Sequence, residues 1–283
     1  DTGYFRLSAM RERGNYAAVI RAIPKSIPSF EQLGLPHALT DMIMGYRGLM
    51  LVVGATGAGK STTVASLLDW RNERNTGHIL TVEDPIEYVF QSKRSVINQR
   101  EVGVDTTSFD IGLRNGLRQS PDVIFIGEIR DAGTMLQAMA YAQTGHFCIA
   151  TLHAGNSQQA LSRIMNFFPV DSHIGVCSEI ALTLTGILSQ RLVRTVDGNR
   201  TPATELMLNT VFMSDLIRQK RLNEITEGIE KSISLGCHTF EEDLARLVRE
   251  GKIMQQEALR HADSANNLLR RLESKFMSKS LMA

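Results

Sequence analysis

Apolar and polar positions along this chain follow two periods in turn. Residues 49–53 form an unbroken apolar run ending at Gly54. After a loop, apolar residues recur at helical spacing over 62–75. Further short apolar runs lie at 78–82, 123–126 and 147–152, separated by stretches such as 132–143 and 157–167 that read as helices. Short strands buried on both faces and alternating with helices predict an α/β fold with a mostly parallel sheet.

The two ends of the chain break this alternation. Residues 4–7 and 16–23 are strand candidates. Two strands alone do not make a stable sheet, so 1–26 reads as the trailing end of an N-terminal domain. The first residue is Asp1, in keeping with a piece of a longer protein. Pro24, Pro28 and Pro36 interrupt regular structure, and 27–36 reads as a linker. A core then spans 37–210 and a helical C-terminal subdomain 211–283. From about residue 172 the pattern turns helical, with 174–192 keeping apolar residues at helical spacing. Thr239-Phe240-Glu241-Glu242 has the form of a capping box opening a helix over 240–249, and Asp263 is placed to cap one over 264–276.

Composition narrows the classes. The chain has 283 residues, 43% hydrophobic and 22% charged, which excludes a disordered polypeptide. Lys and Arg total 31 against 30 for Asp and Glu, so no global field holds nucleic acid or an anionic membrane. No apolar run reaches the roughly 18 residues of a membrane span. Cys148, Cys177 and Cys237 lie far apart with no CxxC pair and read as reduced core thiols.

The strongest chemical signal is Gly54-Ala55-Thr56-Gly57-Ala58-Gly59-Lys60-Ser61, which fits GxxxxGK[ST] between a strand and a helix. Its glycines let successive N–H groups turn inward around a β-phosphate. Lys60 neutralises β and γ oxygens, Ser61 offers a hydroxyl to Mg²⁺, and Thr62 continues the helix N-terminus. Such a site needs carboxylates for the metal shell and for the attacking water. Glu83-Asp84-Pro85-Ile86-Glu87 follows the second strand of the core, and Gly127-Glu128-Ile129-Arg130-Asp131 follows the third. Both fall at the sheet edge where α/β folds bind ligands. His146 and His153 bracket the next strand; seven residues apart, they point to opposite faces and do not share a metal. His153, at the strand's end, is the better candidate for a γ-phosphate sensor.

Together these boxes resemble the secretion ATPase superfamily and, within it, the type IV pilus retraction ATPases of the PilT/PilU group. The likeness also takes in residues 98–103, 144–153 and 163–169. Asp263-Ser264-Ala265-Asn266-Asn267-Leu268 looks PilU-like, whereas the region of a PilT-type helix keeps only Leu216-Ile217-Arg218. The resemblance implies a RecA-like ATPase core preceded by a PAS-like domain, a homo-hexamer, ATP with Mg²⁺, and pilus retraction in twitching motility. It implies a cytoplasmic protein, peripheral at the inner membrane through a pilus platform protein, with a PilT-like partner ATPase. By the same likeness Glu128 holds the Mg²⁺-bound water, while Arg6 and Arg21, with Arg13 as a third candidate, reach the phosphates. Glu87 orients or deprotonates the attacking water, with Glu83 competing for that role; spacing does not decide between them. The principal PilT-type motor and an ATP-binding but silent ring partner are alternatives. A nucleic-acid translocase is disfavoured by the absence of a Lys/Arg run.

Overall fold

The computed structural model describes residues 5–24 and 26–280. Strands β1 (Phe5–Glu12) and β2 (Asn15–Ala22) form an antiparallel hairpin. Arg13 and Gly14 make its turn, both at positive φ, the backbone a tight hairpin turn demands. The first strand runs further than 4–7 because its polar residues alternate with apolar ones on an exposed ribbon; Tyr4 lies outside the described residues.

Helix α1 (Phe30–Leu33) is opened by a Ser29/Gln32 capping box and α2 (Ala38–Ile43) follows. Phe30 and Leu35, within the stretch expected to be a linker, are buried in one core cluster with Leu39 and Ile43, so two apolar anchors tie 27–36 to the core.

The main sheet then builds through β3 (Gly48–Val53), α3 (Lys60–Arg74), β4 (Gly77–Glu83), β5 (Ser95–Glu101), α4 (Phe109–Gly116), β6 (Val123–Ile126), α5 (Ala132–Gln143), β7 (Phe147–Leu152), α6 (Ser157–Met165), α7 (His173–Thr183), β8 (Leu184–Arg194) and β9 (Arg200–Leu208). Strand order is β5-β4-β6-β7-β3-β8-β9, parallel throughout except for β9. The expected α/β class with a mostly parallel sheet is therefore the observed one.

Alternation along β3 sends Met50 and Val52 into the core under α1–α3, and Leu49, Leu51 and Val53 into the core under α4–α7. Both sheet faces are covered, as parallel strands require.

The helical reading of 174–192 holds only to Thr183. There α7 ends with Leu184 extended, and the rest is strand β8. Ile187 and Leu188 enter opposite cores; a strand buried on both faces carries adjacent apolar residues that mimic helical spacing.

Helices α8 (Val211–Arg218) and α9 (Ile225–Lys231) share the core of α4–α7. Helices α10 (Phe240–Arg249), α11 (Gln255–His261) and α12 (Ala265–Ser280) instead have a core of their own, laid on Val193 and Ala203 at the far end of the β8–β9 pair. The helical subdomain expected from residue 211 is thus divided between two cores. The predicted capping box opens α10. Asp263 does not cap α12; Ser264 does, accepting from the Asn267 N–H, while Asp263 faces Arg191 and Asn156. The tail at 275–283 continues α12 to Ser280, and 281–283 lie outside the described residues. Among the described residues no helix is long and apolar enough to cross a membrane.

Candidate active site

β3 ends at Val53 and the chain turns tightly before α3 begins at Lys60. Gly59 adopts φ +87°, and a Cβ on Gly54 would lie 2.6 Å from the Gln190 carbonyl oxygen. Only glycine fits either place. Lys60 Nζ donates to the carbonyls of Gly54 at 2.9 Å and Ala55 at 3.0 Å. Its pKa is lowered by burial, against the attraction of Glu128 and Glu87. Thr56, Gly57, Gly59, Lys60, Ser61 and Thr62 line a cleft of about 490 Å³ at the N-terminus of α3, while Gly54 and Ala58 are buried beneath it. Orphan N–H groups and the helix dipole make that end of α3 anion-seeking.

The strands beside β3 end in the same cleft. His153 follows β7, and its Nδ1 lies 3.4 Å from Lys60 Nζ while Nε2 lies 3.2 Å from Glu128 Oε1. An ammonium only donates, so Nδ1 accepts and the ring proton sits on Nε2, where it donates to Glu128. Glu128 follows β6; its other oxygen accepts from Arg130 Nε at 2.7 Å, and Arg130 reaches Asp84 at 3.0 Å. Lys60, His153, Glu128, Arg130 and Asp84 thus form one continuous polar chain across the ends of four strands.

The two acid-box glutamates differ. Glu83 is buried at the end of β4, and its Oε1 accepts from Thr81 Oγ1 at 2.6 Å and Gln99 Nε2 at 3.2 Å. Burial outweighs these donors and raises its pKa to about 7. Glu87 is exposed on the cleft wall, close enough to Lys60 to raise the lysine's pKa.

Of the candidate arginines, Arg21 lines the cleft. Arg6 does not, but it is the direct cross-strand partner of Arg21 and shares its face. Arg13 sits in the turn at the far end of the hairpin, roughly 20 Å along the ribbon. His146 turns away, bonded to Thr144 and the Tyr141 carbonyl.

Several residues of the site escaped the motif reading. Gln99 holds Glu83 and also bridges the Tyr88 carbonyl and the Phe90 N–H, which fixes the acid-box loop. Gln190 grips the phosphate loop, donating to the Ala58 carbonyl and accepting from Thr63 Oγ1, both at 2.7 Å. Arg200 lines both the cleft and an adjoining hollow of about 540 Å³ that also meets Gly59, Thr62 and Leu192. The signal for Gln190 and Arg200 was Asp197-Gly198, a hairpin turn dipeptide that pairs β8 with β9.

The chain matches the type II/IV secretion system protein family over residues 2–281. It is 47% identical to the type IV pilus ATPase PilU of Pseudomonas aeruginosa, over 98% of this chain and 72% of that one. It is 38% identical to the PilT retraction ATPase of the same organism, covering 93% and 76%. A crystal structure of the pilus retraction motor PilT with bound ADP superposes with a TM-score of 0.88 at 39% identity, covering 94% of this chain and 76% of that one.

Proposed function

The chain belongs to the type II/IV secretion system protein family, and from that premise we propose that it hydrolyses ATP in this cleft to drive type IV pilus retraction, as a PilU-like member of the PilT/PilU group. The observation that carries the reading is the meeting of Lys60, His153 and Glu128 within hydrogen-bond distance, at the ends of the adjacent strands β3, β7 and β6.

The residues divide the work as follows. With ATP bound, Lys60 leaves the Gly54 and Ala55 carbonyls for the β- and γ-phosphates, whose charge repays its desolvation. His153 loses its lysine partner in the same movement, so it registers the γ-phosphate while still oriented by Glu128. Glu87 orients or deprotonates the attacking water, because its carboxylate faces the cleft and accepts no hydrogen bond from the described residues. Glu83, buried at the end of β4 and held by Thr81 and Gln99, supports the acid-box loop that carries Glu87. Arg21, with Arg6 beside it, brings cations to the phosphates; two arginines directly opposite on one ribbon repel until an anion joins them.

Mg²⁺ fits the donor set. Ser61 and Glu128 offer hard oxygens, directly or through water, and among the described residues no cluster of three His, Cys, Asp or Glu side chains forms a protein cage. An ion that keeps its waters and binds mainly substrate phosphates asks for no more. When bound with ATP it neutralises charge building on the β- and γ-oxygens. The assembly is a homo-hexamer, cytoplasmic and peripheral at the inner membrane, cooperating with a PilT-like ATPase on a platform protein of the pilus.

The test is Mg²⁺-dependent ATP hydrolysis against protein concentration, with Lys60→Ala beside it. Specific activity that rises with concentration and is lost in the variant is expected. A protein that binds ATP without turnover, alone and with a PilT-type ATPase, defeats the motor reading and leaves a silent ring partner.

A further inference from the structure

The segment that follows His153 is fixed from outside its own strand. Ser157, at the start of α6, donates its N–H at 2.8 Å and its hydroxyl at 2.7 Å to the buried Glu205 of β9, which Ser189 also supports. Asn156 caps α6 with its Oδ1, and its Nδ2 donates to Asp263 at 3.1 Å. The Gly155 carbonyl accepts from Arg191 at 3.1 Å. Arg191 also pairs with Asp263, donates to the His261 carbonyl, and lies 3.8 Å over the Phe240 ring.

Arg191 therefore clamps together two parts distant in sequence: the segment after His153, and the junction of α11 and α12 from the His261 carbonyl to Asp263. Its neighbours in β8 complete the geometry. Gln190 points the other way, into the phosphate loop, and Leu192 is a wall of the nucleotide cleft. Successive side chains of a strand face opposite sides, so one short piece of β8 holds the phosphate loop on one face and the C-terminal helices on the other.

Asp263 is central to this clamp. Among the described residues it is the one carboxylate paired with Arg191, and it holds Asn156 as well. Without it the guanidinium loses its charge partner and the cap of α6 loses its outer anchor, yet no catalytic atom is touched.

We infer that Asp263 is a positioning residue for the reaction: through Arg191, Gly155 and Asn156 it fixes the segment carrying His153, and so couples the nucleotide site to α11 and α12. The inference rests on the placement of ATP proposed above and extends it to α11 and α12. The coupling runs both ways, as any linkage between two sites must. A shift of His153 when Lys60 turns to phosphate is felt at α12, and displacement of α12 is felt at His153.

The test uses the full chain with Asp263→Ala, Asp263→Asn and Asp263→Glu, read by steady-state ATP hydrolysis, titration with fluorescent ADP, and hydrogen exchange of the 265–273 amides with and without ADP. Asp263→Ala is expected to lower kcat on the order of tenfold, with ADP affinity unchanged and with the ADP-dependent difference in α12 exchange lost. Asp263→Asn, equal in size and still able to accept from Asn156, should show an intermediate loss that isolates the charge. Asp263→Glu, which keeps the charge, should recover most of kcat. A lowered thermal midpoint with kcat and the exchange difference intact means a docking contact only and overturns the inference. Lys60→Ala separates this failure from that of the site itself. Hydrolysis indifferent to Lys60 overturns the nucleotide assignment and this inference with it, whereas Lys60-dependent hydrolysis indifferent to Asp263 overturns the inference alone.

Discussion

On one flank of β3 lie β7 and β6, whose ends carry His153 and Glu128; on the other lies β8, with Ser189, Gln190, Arg191 and Leu192 in succession. The first flank is a string of ionisable groups, each within reach of the next and partly open to the cleft, with the Glu128 side chain 17% exposed. The second flank is closed. Gln190 is 2% exposed with both amide ends bonded, and Ser189 is fully buried against Glu205. Groups that must exchange partners during a reaction need the first kind of setting, because solvent or substrate can replace the contacts that moving them breaks. Groups that must stay put need the second, where each lost hydrogen bond strands a buried partner at about 1–3 kcal/mol. Chemistry and support are thus placed on opposite sides of one strand.

The largest effect should come from the reacting flank. Glu87→Gln keeps shape and removes the base, so kcat should fall by roughly 10²–10³ with ADP affinity preserved, as steady-state hydrolysis and an ADP titration would show. Glu83→Gln should cost far less in kcat, since an amide in its place still accepts from Thr81 and Gln99. If Glu83→Gln proves the more damaging, the two glutamates exchange roles.

What could be read without a structure follows the same division. The phosphate loop, Glu128 and His153 were legible because their spacing is dictated by backbone geometry at strand ends, and 123–126 and 147–152 are the strands observed. The difference in setting between Glu83 and Glu87 was not, since it turns on Gln99, brought beside Glu83 only by the pairing of β4 with β5. β5 itself, a polar edge strand, carries no apolar run to announce it. The support flank was misread because β8 is buried on both faces and its apolar residues fall at helical intervals. With β8 taken for helix, Gln190, Arg191 and Arg200 had no place near the site.

Glu83 tests how far burial shapes the reacting flank. Its pKa is raised to about 7, with desolvation the leading cause, so the folded chain holds this proton more tightly than the unfolded chain does. Its contribution to stability is fully present below the ordinary carboxyl value, declines as pH rises, and is gone above about 7. The loss is on the order of 3 kcal/mol. Urea unfolding between pH 4.5 and 8 should show that decline in the native protein and a flatter profile in Glu83→Gln. An unchanged profile would mean that Glu83 is solvated, and the contrast in burial between the two acid-box glutamates would fail.

The smallest effect expected probes the support flank itself. Gln190→Ala strands the Ala58 carbonyl and the Thr63 hydroxyl, and stability should drop by about 2 kcal/mol. Gly54 and Gly59 already lie within 2.7 Å, as a Cβ would see it, of the Gln190 carbonyl oxygen and side-chain amide. The phosphate loop is therefore shaped against this residue, and a void there loosens the loop before any nucleotide binds. Binding must then order what was previously ordered, so KM for ATP should rise by about fivefold, near 1 kcal/mol, while kcat changes little. Thr63→Ala removes the hydroxyl instead and leaves the Gln190 bond to Ala58 in place, so it should reproduce less of the rise in KM. A fall in kcat at unchanged KM in Gln190→Ala would put this residue among the reacting groups, and the division of labour across β3 would have to be redrawn.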